Sequence, residues 1–357
     1  MHVRDSNVTC FYFLSSAFTC RLHCAPGYVS QLTPLVNCMD GRYQPNRPDE
    51  FVCQPAVALI VSPEGEIEVF SPEGACSKKL AKSEDMSGVG KSVNLLDNQL
   101  VLAGYEVEGG SWKSIALEDP RGGLLSSRLS VSSSDLGEAA PRHHITFVHG
   151  HSLYLLGGEQ NTQAKLENGV WSNINFKWID GTPFSSLSSG ACSISINRDL
   201  FLVLGGFSGS KQQSTVRAVN VTKQTVEERP ELKHARAFHT CQILENSLVL
   251  VSGGKNPSGS LIPDELYNPT ATGTATQVLT ADNSLSRYEH RLVRLEKTVF
   301  ALGGKDETGQ ELTSIKKFDT ATNTWLDHSQ ALLSNSTSGM AVTAIPRSAV
   351  DCVEECR

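Results

Sequence analysis

Cysteine is the residue type whose number and spacing could do the most chemistry in this sequence. Ten cysteines occur in 357 residues, and five of them fall within the first 53 positions. Crowding of this kind favours disulfide bonds and therefore an oxidising compartment. Metal binding is the competing interpretation, but the cysteines lack the paired close spacing with cysteine or histidine that zinc sites show. We therefore predict a secreted, disulfide-bonded protein.

Histidine is the next candidate for chemistry. Four histidines, His143, His144, His149 and His151, cluster where one hairpin is predicted. Side chains alternate between the two faces of a strand, so the four do not all point the same way. We favour ordinary strand positions over a metal site, and we predict no metal ion and no cofactor.

The sequence shows no motif typical of nucleophilic catalysis. The sequence contains no G-x-S-x-G elbow, in which a serine is exposed on a tight turn between a strand and a helix. Paired carboxylates for glycoside hydrolysis need only lie close in space, so sequence does not decide that chemistry. We predict that the chain is not an enzyme, with a secreted enzyme as the alternative.

The charge of the chain bears on its partners. Lys and Arg number 31 and Asp and Glu 38, which gives a net charge of −7. Nucleic acid and acidic membrane surfaces are poor partners for such a chain, because both are bound through clustered basic residues. No apolar run reaches the length of about 18 residues that a membrane-spanning helix needs.

A repeat organises most of the chain. Apolar runs that end in a glycine pair close at Gly158, Gly206, Gly254 and Gly304, so the period is close to 50 residues. Each pair is preceded by another short apolar strand and followed by a third strand that ends in a turn. Strands that recur at this period are typical of the blades of a β-propeller. Five such units are predicted between about residues 87 and 335.

A sixth blade is predicted to be split between the two ends of the repeat region. VALIV (57–61) and IEVFSPEG (67–74) match second and third strands, and MAVTAI (340–345) supplies the missing first strand. Pairing of the last strand with residues 57–61 would close the ring and remove an exposed sheet edge.

These motifs resemble the kelch family. The resemblance covers about 290 of the 357 residues and includes aromatic–polar turns at Phe318-Asp319 and Tyr267-Asn268. It also includes an Arg-x-x-His motif ahead of two inner strands, Arg236 to His239 and Arg287 to His290. The resemblance implies an all-β fold, a six-bladed kelch-type propeller, that binds a protein or glycan through the loops of one face. The alternatives on this fold are a secreted enzyme on a propeller scaffold (galactose-oxidase-like or glycan-active) and an intracellular kelch substrate adaptor.

The candidate binding residues follow from their positions in the repeat. An arginine before each of three inner strands suggests a basic ring at one mouth of the channel, with hydrogen bonding to a neighbouring carboxylate as the alternative. Trp178 is a candidate aromatic anchor, with packing between blades as the alternative. The predicted binding residues are Arg142, His144, Trp178, Arg236, His239, Arg287 and His290.

The segment before the propeller resembles a partial sushi module (complement control repeat). The resemblance lies in Cys24-Ala-Pro-Gly-Tyr28, Asn37-Cys38-Met-Asp-Gly41 and the closing Cys53. It implies a Cys24–Cys53 disulfide and a second one that joins Cys38 to Cys20 or Cys10. A segment this small would depend on such bonds for stability.

The remaining cysteines and three sequons complete the predictions. Cys76 is expected to pair with Cys352 or Cys356 and lock the closing blade, whereas Cys192 and Cys241 are expected to be buried free thiols. Sequons for N-glycosylation stand at Asn7, Asn220 and Asn335.

The predicted domain boundaries divide the chain into four parts. Residues 1–19 are an N-terminal segment that is either truncated or a weak signal, and 20–54 are the sushi-like, disulfide-rich segment. Residues 55–348 are the propeller, and 349–357 are a cysteine-containing tail. We expect an extracellular protein-binding module whose partner the sequence does not name.

Overall fold

The structure is a computed structural model of the chain. It describes residues 6–12, 17–24, 28–30, 35–39, 42–44, 53–72, 76–82, 92–96, 99–103, 114–116, 130–132, 144–150, 152–157, 162–167, 170–181, 189–197, 199–280, 284–333 and 339–346. The predictions made for Arg142, Asn335, Cys352 and Cys356 lie outside these residues.

The N-terminal part forms a small antiparallel sheet. Its strands are β1 (Ser6–Tyr12), β2 (Ala17–Cys24), β4 (Leu35–Met39) and β5 (Arg42–Gln44), and the short β3 (Tyr28–Ser30) lies outside it. The strand order is β1-β2-β4-β5, with Cys10 opposite Cys20. The predicted boundary between residues 19 and 20 therefore falls inside β2.

The disulfide-rich character predicted for this N-terminal segment is not evident. Cys20, Cys24, Cys38, Cys53 and Cys76 lie on described strands, but their side chains lie outside the description. Among the described residues the one disulfide joins two cysteines of the propeller, Cys192 and Cys241. The sushi-like pairings are thus without structural support.

The first blade is made from both ends of the repeat region. Its strands β6 (Cys53–Val61), β7 (Glu66–Ser71) and β8 (Cys76–Lys82) pair in sequence, and β3 pairs with the start of β6. From Ala56 to Val61, β6 is buried, as expected of a central strand covered on both faces. We call this sheet blade 1.

Two short hairpins follow blade 1. They comprise β9 (Ser92–Leu96) with β10 (Gln99–Ala103), and β11 (Ser114–Ala116) with β12 (Ser130–Ser132). The two hairpins are separate sheets of two strands each. β11 has only three residues, and its ladder partner is β12 and not β10. The described strands of this region therefore form two hairpins and not one four-stranded sheet.

Four complete blades succeed one another along the rest of the chain. Blade 2 consists of β13 (His144–His149), β14 (Ser152–Gly157), β15 (Thr162–Glu167) and β16 (Val170–Asn173).

Blade 3 consists of β17 (Lys177–Trp178), β18 (Cys192–Ser195), β19 (Leu200–Leu204), β22 (Val216–Asn220) and β23 (Thr225–Arg229), with a small hairpin of β20 (Phe207–Ser208) and β21 (Lys211–Gln212). Blade 4 consists of β24 (Thr240–Ile243), β25 (Val249–Ser252), β26 (Glu265–Tyr267) and β27 (Thr276–Val278). Blade 5 consists of β28 (Arg291–Leu295), β29 (Thr298–Leu302), β30 (Ser314–Asp319) and β31 (Thr324–Leu332).

The last strand closes the ring as the sequence predicts. β32 (Ala341–Pro346) pairs antiparallel with β6 and becomes the innermost strand of blade 1. The innermost strands then neighbour one another in a circle, in the order β32, β9, β13, β18, β24 and β28. The β9–β10 hairpin occupies the place between blade 1 and blade 2.

The prediction of six blades was wrong: the described residues form five. The sequence between residues 87 and 140 keeps strands at the expected places for β9 and β10, but it lacks the glycine pair, since Ala103 precedes Gly104. Glycine at that point lets neighbouring backbones approach closely. Among the residues that the structure describes, the third and fourth strands of this unit, β11 and β12, form a ladder with each other and with no further strand.

The hydrophobic core lies between blades. One cluster joins Phe70 of blade 1 to Phe300 of blade 5, with ring centroids 5.2 Å apart. Further clusters fill the spaces between blades 2 and 3, 3 and 4, and 4 and 5. Burial of apolar surface between sheets is thus what holds the ring together, and it fixes the loops at both ends of the channel.

A disulfide adds a covalent link between blades 3 and 4. Cys192 on β18 and Cys241 on β24 are bonded, with Cα atoms 5.9 Å apart. The expectation of free thiols was therefore wrong. The separation of 49 residues is close to one repeat period, which places the two cysteines side by side on neighbouring inner strands.

No helix among the described residues is long and apolar enough to cross a membrane.

Candidate functional site

The strand order of each blade sorts its loops onto two faces. The first two strands are antiparallel, so the start of the inner strand and the end of the second strand lie at the same end of the blade. We call this end the mouth face. The opposite end carries the turn within the inner hairpin and the turn between the third and fourth strands, and we call it the far face.

Backbone hydrogen bonds run around the channel on the mouth face. The N–H of Phe238 donates to the carbonyl of Gly190 at 3.2 Å, and the N–H of Glu289 donates to the carbonyl of Phe238 at 3.0 Å. These three residues precede the inner strands of blades 3, 4 and 5. The two bonds therefore link blade 3 to blade 4 and blade 4 to blade 5 through main-chain atoms.

The same positions require a left-handed backbone. The φ angles are 64° at Gly190, 59° at Phe238, 55° at Glu289 and 77° at Gly339, which precedes β32. Glycine adopts this conformation freely, whereas other L-residues pay about 1–2 kcal/mol. Blades 4 and 5 nevertheless carry Phe and Glu there. Strained residues of this kind cluster at functional sites, which makes the two side chains candidates for binding.

Six half-buried side chains surround these positions and form what we call the mouth cluster. Three follow the glycine pairs of blades 3 to 5, and three lie within the Arg-x-x-His motifs of blades 4 and 5. The members are Phe207, Phe238, Lys255, Tyr288, Glu289 and Lys305.

The side chains of the mouth cluster contact one another in pairs. Phe207 and Phe238 meet edge to face with centroids 5.3 Å apart. The ammonium of Lys255 lies 3.8 Å from the ring centroid of Tyr288, within the range of a cation–π interaction. Lys305 pairs with Glu289 at 3.1 Å, Nζ to Oε2. These contacts hold aromatic and charged groups in place at the edge of the channel.

Arg236 belongs to the interior. Its side chain is fully buried, and it donates to the Glu265 carboxylate at 2.6 Å and to the carbonyls of Gly253 and Pro263 at 3.0 and 2.8 Å. Burial lowers the pKa of Arg236, and the negative charge of Glu265 opposes that shift. A buried cation needs such a partner. The prediction that Arg236 forms part of a basic ring is corrected: it bonds a neighbouring carboxylate.

Arg287 holds the corresponding place in blade 5. It is 4% exposed and donates to the carbonyls of Gly303 and Ser314 at 2.9 and 3.2 Å. Burial lowers its pKa to about 10. Like Arg236, it ties the start of the inner strand to the second and third strands of its blade, and it does not line the channel mouth.

The two histidines of the motif are also interior. The ring of His239 is buried and hydrogen-bonds the carbonyl of Leu204 in the preceding blade through Nε2 at 3.0 Å. Burial lowers its pKa to about 3, and burial holds the pKa of His290 well below its usual value. Both are therefore neutral at pH 7, and their predicted place on a binding surface is corrected to the contact between blades.

The other predicted binding residues are separated from this cluster. His144 is half-buried, with Nε2 3.3 Å from the hydroxyl of Ser92. Trp178 packs against the core between blades 2 and 3. The centroid of its ring lies 5.9 Å from the guanidinium carbon of Arg217. Of the two interpretations of Trp178, packing between blades is therefore the one that the structure supports. Of the histidine cluster, His149 bonds Asp199 at 3.1 Å.

Sequence reasoning missed the mouth cluster. Its members stand directly after the glycine pairs, or at the two x positions of Arg-x-x-His, so the repeat itself marked them. The fixed residues of each motif drew attention because they recur, yet they are the residues that packing requires. Of the variable residues beside them, the six of the mouth cluster stay half-buried at the mouth face, whereas Ala237 is buried.

Metal chemistry has no site in the described part of the chain. No group of three or more His, Cys, Asp or Glu residues described there could hold a metal ion.

Comparisons with known proteins agree with the fold. The chain is 24% identical over 233 residues to Kelch-like protein 15 of mouse, rat and human, which covers 58% of this chain. It spans only 38% of the length of those relatives. No protein-family model matches the chain. Together with the five blades, this similarity supports a kelch-type β-propeller and suggests a protein-interaction module.

Proposed function

We propose that this chain is an extracellular protein-binding module and that its partner contacts the mouth cluster. The observation that carries the proposal is the use of Phe238 and Glu289 at left-handed positions where two other blades have glycine. Non-glycine residues held in this conformation at a channel mouth are candidates for binding through their side chains.

The chemistry of the cluster suits a protein partner. It presents two phenylalanine rings and one tyrosine ring within one surface. Aromatic residues are enriched at protein interfaces, and tyrosine is among the residues that contribute most of the binding energy. The internal pairs, Lys255 with Tyr288 and Lys305 with Glu289, limit side-chain freedom before binding. Binding to an ordered surface costs less conformational entropy.

The extracellular setting is supported by the bond between Cys192 and Cys241. Disulfides persist in oxidising compartments and are rare in the cytosol. An intracellular adaptor on the same fold would carry these two cysteines as free thiols. Mapping of disulfides in the secreted protein, without reduction, therefore tests the setting independently of the partner.

The test of the site compares two faces of the same propeller. A photo-crosslinking residue is placed at position 238 or at position 297, and each protein is exposed to extracellular fluid. Phe238 lies on the mouth face, whereas Lys297 lies in the inner hairpin turn of blade 5 on the far face. We expect a saturable crosslinked protein at position 238 and none at position 297.

Alanine variants then measure the contribution of the cluster. Lys255→Ala and Tyr288→Ala should each weaken capture of the crosslinked protein by about tenfold or more, as interface hot spots do. Lys297→Ala is the matched control, because it removes an exposed lysine on the far face, where Lys297 forms a surface ion pair with Glu245. Equal capture by all three variants would remove the mouth cluster from the proposal.

A further inference from the structure

One surface turn of blade 3 carries a sequon. Asn220-Val221-Thr222 begins at the last residue of β22 and continues into the turn that leads to β23. Thr222, Lys223 and Gln224 are exposed, and Asn220 is half-buried. The turn joins the third and fourth strands, so it lies on the far face, away from the mouth cluster.

The side chain of Asn220 leaves its amide nitrogen available. Its Oδ1 accepts a hydrogen bond from the N–H of Lys223 at 2.9 Å, which orients the amide. The hydroxyl of Thr222 donates to Asp199 at 2.6 Å and so does not hold the asparagine. Nδ2 donates to none of the described residues. A substituent on that nitrogen would therefore preserve the hydrogen bonds of the turn.

The next blade contains a natural comparison at the same place. Asn268-Pro269-Thr270 follows β26 in the turn between the third and fourth strands of blade 4, 48 residues after Asn220 in sequence. Proline at the middle position excludes N-glycosylation. The two turns thus occupy equivalent positions on neighbouring blades, and only the turn of blade 3 meets the sequence requirement.

We infer that Asn220 carries an N-linked glycan. The amide nitrogen would lose one proton and form a bond to the anomeric carbon of an oligosaccharide. The bond from that carbon to the pyrophosphate of a lipid-linked donor breaks at the same time, and the lipid pyrophosphate leaves. The inference rests on the proposed extracellular setting, because the donor is met in the secretory pathway.

The position of this glycan has a consequence for binding. A bulky, solvated group on the far face covers the outer end of blade 3 and leaves the mouth face open. The modification would therefore direct partners towards the mouth cluster without touching it.

The experiment expresses the full chain behind a cleavable secretion signal, in wild-type form and as three variants. Asn220→Gln and Thr222→Ala each destroy the sequon of blade 3, and Pro269→Val completes the one in blade 4. Electrophoresis before and after enzymatic glycan removal counts the glycans, and peptide mapping locates the Asn-to-Asp conversion that removal leaves.

We expect Asn220→Gln and Thr222→Ala each to lose one glycan relative to wild type, and Pro269→Val to gain one. Wild-type Asn220 that stays unconverted, in secreted protein with an intact Cys192–Cys241 bond, overturns the inference while the extracellular proposal stands. Free thiols at Cys192 and Cys241 would contradict the extracellular proposal instead. A glycan gained in Pro269→Val would show that the equivalent turn of blade 4 is accessible to the glycosylation machinery. If that variant carries a glycan on Asn268 and none on Asn220, the inference is also contradicted.

Discussion

Gly253 and Arg287 meet through main-chain atoms where blade 4 touches blade 5. A Cβ atom on Gly253 would lie 2.1 Å from the carbonyl oxygen of Arg287. The adjacent Gly254 donates its N–H to the same carbonyl at 3.1 Å. This contact explains why the glycine pairs recur: the position has room for a hydrogen atom only.

Gly253→Ala should therefore destabilise the propeller strongly. We expect a loss of about 3 kcal/mol or more in the free energy of unfolding, because backbone atoms of two blades must separate. Gly259→Ala is the control: φ is 84° there, yet no atom lies within 4 Å of the added Cβ. Gly259→Ala should lower the free energy of unfolding by only about 1–2 kcal/mol, which is the cost of a left-handed backbone at an alanine without any steric clash. Equal losses in denaturant unfolding would show that the close contact is unimportant.

The buried histidines of the Arg-x-x-His motifs should make stability depend on pH. The pKa of His239 falls from 6.5 to about 3 on folding, and that of His290 is also lowered by burial. As pH falls below 6.5 the unfolded chain takes up protons that the folded protein does not, so stability is lost between pH 6.5 and 3 and is fully present above that range.

Urea unfolding measures this effect. Between about pH 7.5 and pH 5.5 His239 should contribute a loss of about 1.4 kcal/mol, and His290 should contribute a loss in the same direction. The variant His239→Gln with His290→Gln keeps a polar amide at both positions and does not titrate, so its stability should vary less with pH by about the sum of the two contributions. An unchanged pH profile in this variant would contradict the assignment to the two histidines.

At the scale of elements, the covalent link between blades 3 and 4 should be measurable. Replacing both Cys192 and Cys241 with serine releases a connection across 49 residues. By the loop-entropy estimate the loss is about 4 kcal/mol in the free energy of unfolding. Wild-type protein unfolded in the presence of a reducing agent should match the variant. If reduction has no effect on the wild-type protein, the bond contributes nothing to stability.

The sequence predicted those elements whose signal repeats along the chain. The inner strands β9, β13, β18, β24 and β28 stand where the apolar runs indicate. Closure by β32 followed from counting strands at the two ends of the repeat. A sequence pattern that recurs in every blade can be recognised from several copies, so the strand is still predicted when one copy departs from the pattern.

Features that occur once were not predictable in this way. β17 pairs parallel with β23 and adds a fifth strand to blade 3, although Lys177 and Trp178 are too short a run to predict a strand. The Cys192–Cys241 bond depends on two strands being neighbours in space, which local pattern does not reveal. The mouth cluster was missed for a different reason: its members stand at variable positions beside the repeated glycine, arginine and histidine residues, which drew attention because they recur.

At the scale of the whole molecule, ring closure should decide whether the chain folds cooperatively. Met340, which precedes β32, and Val342 and Ala344 of β32 pack against residues of blades 1 and 5. Ala341 and Ile345 of β32 are buried as well. A chain that ends at residue 338 loses this strand and exposes the inner edge of β6. We expect it to unfold at lower denaturant concentration, with a broader transition, and to aggregate through the open edge.

A chain that ends at residue 346 is the matched control for this truncation. It keeps β32 and lacks only residues 347–357. It should unfold in one transition close to that of the full chain, as followed by intrinsic fluorescence. Equal transitions for the two truncated chains would mean that pairing of β32 with β6 adds no stability.

The pairing of β32 with β6 also sets a delay during synthesis. β6 ends at Val61 and β32 ends at Pro346, so 346 − 61 = 285 residues must be made before the partner strand exists. At about 5–20 residues per second that interval is roughly a quarter of a minute to a minute. Throughout it, the inner edge of a strand destined for complete burial stands unpaired. The growing chain is thus a substrate for chaperones that shield strand edges, and slowing translation near its end should lower the yield of native protein.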